Sequence, residues 1–303
     1  MRKLLFILLI LFSVSLFAKK VIILKSKNIT AYDALVTGFS IKTKAQVEVL
    51  SLRDKTLTTG KILKKIKSDA DLVFAIGDKA LKIALKQKKK PVIFAMVLNY
   101  RKYDIDTDNV TGIKIKLSAK TQIGTMSSIF RAENIGIVSS SSGIENLIKK
   151  NQKIASLFGI KLKSISVEDG NLLSALGKHK EDVDVIWMLP DKAILNLKGY
   201  SILSKFALQY KKPLYVLSKG LVEKGGLLSL SPNYLLVGKQ ASRFANKVLF
   251  SNVPIKYIPI SDPDSFTLTL NYTVLQRLGL LEELAPKVLS FAASKGFMVE
   301  VVK

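Results

Sequence analysis

Asp69-Ala-Asp-Leu-Val-Phe-Ala-Ile-Gly-Asp-Lys-Ala-Leu81 and Asp182-Val-Asp-Val-Ile-Trp-Met-Leu-Pro-Asp-Lys-Ala-Ile194 are two versions of one pattern, 113 positions apart. Five of the thirteen positions are identical, and most of the others exchange one apolar residue for another. Each copy reads as a buried strand, then a Gly or Pro that breaks it, then an Asp opening a helix. Farther on, Lys89-Lys90-Pro91-Val-Ile-Phe is echoed by Lys211-Lys212-Pro213-Leu-Tyr-Val. Any two strand–helix units look somewhat alike. The ordered series of strand, Asp-Lys-Ala, helix, Lys-Lys-Pro, strand, met twice, points to two lobes of similar topology.

Around these anchors, short apolar runs alternate with helical patterns. Strands are expected at Val21–Leu24, Val47–Leu50, Leu72–Ile76 and Pro91–Val97, with helices from Thr30 (as cap) to about Phe39, at Gly60–Lys67 and at Asp78–Lys86. The second half repeats the alternation. Helices are read at Ala119–Phe130, Ile144–Phe158, Leu172–Gly177 and Ser201–Gln209, and strands at Ile135–Val138, Ile160–Val167, Val183–Leu189 and Leu214–Leu217. Such alternation predicts an α/β fold of parallel sheets covered by helices on both faces. Ligands of such sheets bind beyond the carboxyl ends of the strands. Two lobes facing each other would form a cleft lined by strand-to-helix loops, where helix N-termini favour a carboxylate, phosphate or zwitterion.

Composition narrows the chemistry. The 303 residues include no cysteine and one histidine, so a disulfide framework, a thiol nucleophile and a multi-histidine metal site are all excluded. No cofactor is expected. The apolar fraction of 48% is too high for a disordered chain. Lys and Arg outnumber Asp and Glu by 48 to 23, a formal charge of +25. The start of the chain decides what that charge meets. Arg2 and Lys3 precede the apolar run Leu4–Phe12, and Ala18 is a small residue at a plausible cleavage point. Residues 1–18 thus read as a signal peptide, or as an uncleaved anchor helix, although the run is short for a span. No cysteine sits at the cut to carry a lipid, so a free exported protein is expected. Outside the cytoplasm, a basic chain meets anionic lipid and cell-wall polymers, and nucleic acid is not expected as a partner. The lysines are spread along the chain apart from short runs such as Lys88–Lys90.

The candidate loops are Ser26–Thr30, Gly77–Lys79, Leu98–Tyr103, Ser139–Gly143, Pro190–Lys192 and Ser218–Gly220. Asp78 and Asp191 hold equivalent places in the repeat. Each could grip a ligand ammonium or hydroxyl, or cap a helix, and both roles can coexist. Ser139-Ser140-Ser141-Ser142-Gly143 could cradle an anionic group or form a polar turn. Tyr32, Tyr100 and Tyr103 lie where a ring could stack on a flat ligand, Trp187 reads as core, and His179 as a solvated loop residue. Asn99 and Ser218 complete the polar set. No Gly-x-Ser-x-Gly, Walker loop or Gly-x-Gly-x-x-Gly is present, so catalysis is not expected.

The stretches 71–80, 90–97, Asn-Val-Thr-Gly-Ile (109–113), 185–193, Gly-Leu-Val-Glu-Lys-Gly-Gly-Leu (220–227), Ser-Pro-Asn-Tyr (231–234) and 268–280 resemble the ABC-transporter substrate-binding family that includes tryptophan- and tyrosine-binding lipoproteins. The resemblance implies a type 1 periplasmic-binding-protein fold of two Rossmann-like lobes. It implies chain crossings near Leu117–Lys120, Leu227–Ser231 and Asn252–Pro254. One lobe would then hold 19–117 plus 232–251, and the other 118–231 plus 252–303. Members deliver a small solute to an inner-membrane permease without chemistry on it, so the expectation is a monomeric periplasmic receptor for an amino-acid-like solute. By the same likeness Ser26, Tyr32, Asp78 and Asp191 face solute. Relatives that bind aromatic amino acids tend to show a Tyr-Asn-Pro-like loop where this chain has Ser139–Ser142, a departure bearing on the ligand. A sensor subunit serving a membrane kinase or chemoreceptor is the alternative the sequence leaves open. An exported enzyme using Asp78 and Asp191 is the third.

Overall fold

The computed structural model describes residues 19–105, 108–167 and 170–303; the expected signal peptide, 1–18, lies outside them. The chain divides into two compact units, one running to Ile115 and resumed at Tyr234–Asp264, the other Lys116–Asn233 plus Ser265–Lys303.

The first unit runs β1 (Lys20–Lys25), α1 (Thr30–Lys42), β2 (Gln46–Ser51), α2 (Thr59–Asp69), β3 (Leu72–Ile76), α3 (Asp78–Ala84), β4 (Val92–Ala95), a 3-10 turn at Tyr100–Lys102, and β5 (Val110–Gly112). Its sheet is parallel, in the order β2-β1-β3-β4-β5. All five residues of β3 are buried. Alternate side chains leave to opposite faces: Leu72, Phe74 and Ile76 join one core cluster, Val73 and Ala75 another. That is why the run is apolar without interruption. One face is covered by α2 and α3. The other is covered by α1 and by α9 (Tyr234–Phe250), whose Val237, Ala241 and Ala245 pack with Leu35 and Phe39.

The second unit contains α4 (Ala119–Phe130), β6 (Asn134–Ser139), α5 (Ser142–Ser156), β7 (Lys161–Ser166), α6 (Leu172–Lys178), β8 (Val185–Trp187), α7 (Leu197–Gln209), β9 (Leu214–Val216), α8 (Lys219–Val222) and β10 (Leu228–Pro232). Its sheet is ordered β12-β11-β10-β9-β8-β6-β7, with β11 (Phe266–Asn271) and β12 (Met298–Val302) joined by α10 (Tyr272–Leu278) and α11 (Leu281–Lys295). Read from its far edge, β7-β6-β8-β9-β10 repeats the first sheet's order. The repeated sequence has matching jobs. Asp71 accepts a hydrogen bond from the Lys20 amide at 2.9 Å. Its counterpart Asp184 accepts from the amides of Glu133 and Asn134 at 3.0 and 2.8 Å. Both carboxylates close the amino end of the first strand of their sheet.

Three expectations need correction. The second sheet is not wholly parallel, because β10 and β11 run antiparallel. Thr30 does not cap α1; that place falls to Ile29, which offers no side-chain acceptor. Residues 252–264, expected in the second lobe, belong to the first unit. Their attachment is local: Ile255 is buried in the core beneath α9, Ser261 N–H donates to Gly112, and Gln240 of α9 donates to the Asp262 carbonyl at 3.0 Å. Trp187 is core as expected, and His179 is half-buried at the end of α6, its Nδ1 3.5 Å from Asp182.

Candidate functional site

In each unit the polar candidates gather where the parallel strands end. In the first, Gly77 closes β3 with φ of 91°, a conformation that suits glycine. A Cβ there would stand 2.3 Å from the Tyr32 hydroxyl and 2.8 Å from Ser26 Oγ. The structure thus brings Ser26, Tyr32 and the loop carrying Asp78 together around one backbone position. Ser26 is buried and structural: its Oγ accepts from the Ala80 amide at 2.8 Å, capping α3 from the neighbouring loop. The Tyr32 ring is buried, and burial together with the Asp78 charge pushes its hydroxyl pKa up, so it stays protonated as a donor.

Asp78 does not cap its helix. Its Oδ1 receives Lys102 Nζ at 2.6 Å and the Tyr103 hydroxyl at 3.0 Å. Burial pushes the carboxyl up, yet Lys102, Tyr103 and the Leu98 amide outweigh it and hold the pKa below the ordinary value. A carboxyl lowered in the folded state contributes stability above its unfolded pKa, about 3.9, and loses it as pH falls through the lower folded value. Lys102→Met should therefore let the Asp78 pKa climb relative to the parent protein. Carboxyl-detected NMR titration checks this; an unmoved Asp78 curve would refute the pairing. Lys102 carried no signal in the sequence, because nothing separates it from the chain's many solvated lysines. Tyr100, expected near solute, leans on Phe94 with ring centroids 5.4 Å apart. Asn99 is exposed on the same loop, entered through Met96 with φ of 59°.

In the second unit the equivalent amide is held differently. Asp191, with only 2% of its surface exposed, accepts from the Ala193 amide at 2.8 Å with Oδ1. The same carboxylate takes the Ser140 hydroxyl at 2.5 Å and, through Oδ2, the Ser140 amide at 2.9 Å. Ala80 and Ala193 are counterparts in the repeat. Unit one caps Ala80 with a serine from the loop after the adjacent strand β1. Unit two caps Ala193 with its own aspartate, which a serine from the loop after the adjacent strand β6 then holds. The expectation that Asp191 grips a ligand ammonium thus meets a buried carboxylate that already accepts three protein donors. Ser141 and Ser218 are exposed, and each stands at a helix start without a side-chain cap bond. Among the described residues no cluster of three or more His, Cys, Asp or Glu could hold a metal.

Comparison with known proteins adds family and fold. The model of a family described as ABC transporter substrate binding protein matches residues 36–294. A tyrosine-binding protein of Clostridioides difficile (strain R20291) is 24% identical over 262 residues, spanning 80% of this chain and 73% of its own. The ligand-free, open structure of a substrate-binding protein with adhesive properties from Clostridium difficile superposes with a TM-score of 0.77 at 22% identity, covering 94% of this chain and 99% of that one. A Streptococcus pneumonia ABC domain in complex with L-Trp gives 0.55 at 20% identity, with 88% and 99% covered.

Proposed function

Because the chain belongs to the ABC-transporter substrate-binding family, with the two α/β lobes of type 1 periplasmic binding proteins, we propose that it is the periplasmic solute receptor of an importer. It captures a small polar, amino-acid-like solute by lobe closure, performs no catalysis, and hands the solute to an inner-membrane permease. It is exported through residues 1–18 and acts as a monomer. Among the described residues no helix is long and apolar enough to cross a membrane. The observation that carries the reading is the family match over residues 36–294, joined to polar loops that end both sheets. In this proposal Tyr32, Asp78, Asn99, Ser141 and Ser218 touch the solute. Ser26, Ser140 and Asp191 hold the loops in shape for them.

The relatives named for tyrosine and L-Trp direct the first screen. Purified protein is tested against tyrosine, tryptophan, other amino acids, nucleobases and organic acids by thermal shift and calorimetry. A solute present at a hundredfold over its Kd should stabilise the fold by about 2.7 kcal/mol. Scattering with the same solute should show a smaller radius of gyration. Failure of every solute to stabilise the protein would count against uptake.

A further inference from the structure

We propose that the face of the first unit formed by α2, α3 and the loop after β2 is a docking surface for an anionic phospholipid bilayer. A surface groove of about 360 Å³ lies there, within the first unit. Its floor is aliphatic, from Leu52, Leu57, Ile62 and Ile83. Its rim is cationic, from Lys79, Lys82 and Lys86. The three lysines fall on one side of α3 and its end, spaced three and four apart, which puts them in one row. None of them is in an ion pair within the described residues, and all are exposed.

The surrounding charge has the same sign. Residues 79–90 contain six lysines and no acid. The loop after β2 adds Arg53 and Lys55, both exposed. Its one acid, Asp54, is exposed and accepts from the Thr56 amide and hydroxyl at 2.9 and 2.7 Å, against the two cations of the same loop. Positive charge alone would suit any polyanion. The aliphatic floor between the ammonium groups favours an amphiphile, whose phosphates meet the lysines while its acyl region meets Leu52, Leu57 and Ile83. The groove includes no residue placed in solute contact above, so the proposal stands independently of what the protein transports.

The test is co-sedimentation of the purified protein with vesicles of phosphatidylglycerol and phosphatidylcholine in equal parts, and with phosphatidylcholine alone. Binding is expected to the first and not the second, and to weaken as salt rises from about 0.05 to 0.3 M. Each lysine at an anionic surface contributes about fivefold in affinity. Lys82→Gln/Lys86→Gln should therefore lose on the order of twenty-five-fold, and Lys82→Glu/Lys86→Glu more. Lys149→Gln/Lys153→Gln on α5 makes the same change in net charge and should bind as the parent does. An equal loss in that control would reduce the effect to overall charge and overturn the proposal. Absence of vesicle binding would also overturn it, as would tighter binding to a DNA duplex than to the anionic vesicles. Thermal unfolding of each variant checks that the fold is intact.

Discussion

Gly238→Ala is expected to lower the melting temperature sharply. Helices α1 and α9 touch backbone to backbone at two reciprocal points. A Cβ on Gly38 would stand 2.0 Å from the Leu235 carbonyl oxygen, and one on Gly238 would stand 2.2 Å from that of Leu35 and 2.9 Å from the Phe39 nitrogen. Backbone atoms have no rotamer to move into, so the helices must separate. Separation would withdraw Val237 and Ala241 from the core they share with Leu35 and Phe39, all of them buried. Overpacking typically costs about 1–3 kcal/mol, and contact with backbone that cannot move aside puts this case at the upper end, about 3 kcal/mol. At roughly 2–4 °C per kcal/mol for a unit of this size, a fall of about 6–12 °C should appear in a calorimetric scan. Gly60→Ala is the control, since nothing lies within 4 Å of its Cβ position in α2. It should raise stability by about 0.5–1 kcal/mol, the ordinary helix preference of alanine over glycine. Equal melting temperatures for the two variants would mean that the helices do not cross this closely.

That glycine pair also marks the limit of what the sequence alone can say. The strands β1, β3, β4, β6, β8 and β9 are legible because burial on both faces makes them largely apolar. Strands β2 and β7 show only as shorter apolar stretches broken by polar residues. The three-residue β5 carries too little pattern to be read. The 113-residue repeat tells that the strand order recurs. Helix α9 is different. Its return to the first unit after the whole of β6–β10 is legible only through the family resemblance, which assigns 232–251 there; nothing local in Gly38 or Gly238 announces a partner two hundred residues away. The stretch 252–264 is misassigned because one of its attachments, Ser261 to Gly112 at the end of β5, is to an element distant in sequence, while the other, Asp262 to Gln240, is to the preceding helix α9. At the candidate site the loops could be read, since each follows an apolar run. The division of labour inside them could not. Asp78 and Asp191 are the same letter at the same place in the repeat, yet one is salt-bridged at the surface and the other is enclosed. What separates them is their neighbours. Ser26 already satisfies the Ala80 amide, which leaves Asp78 to Lys102, whereas the Ala193 amide and both Ser140 donors converge on Asp191.

Asp191→Ala is therefore expected to loosen two loops at once rather than to remove a ligand contact. The change would strand the amides of Ser140 and Ala193 and the Ser140 hydroxyl around a site where Asp191 is almost wholly buried. Hydrogen bonds to a charged group are worth about 1.5–3 kcal/mol, and buried donors left without acceptors cost about 1–3 kcal/mol each. A net loss of about 3 kcal/mol is reasonable for three donors that partly relax toward water. Asn should be nearly as harmful. Its NH2 group would face an N–H or O–H donor on one side, because the Ser140 amide and Ala193 amide claim both oxygens. Ser140→Ala, which removes one donor and keeps its amide, should cost only about 1 kcal/mol. Native-state hydrogen exchange separates bracing from ligand contact. If Asp191 is a brace, the Ser140 and Ala193 amides in Asp191→Ala should exchange on the order of a hundredfold faster without any solute present, as about 3 kcal/mol requires. If it were a ligand contact, those amides would keep their protection and only solute affinity would fall. Retained protection at both amides would move Asp191 back among the residues that touch solute.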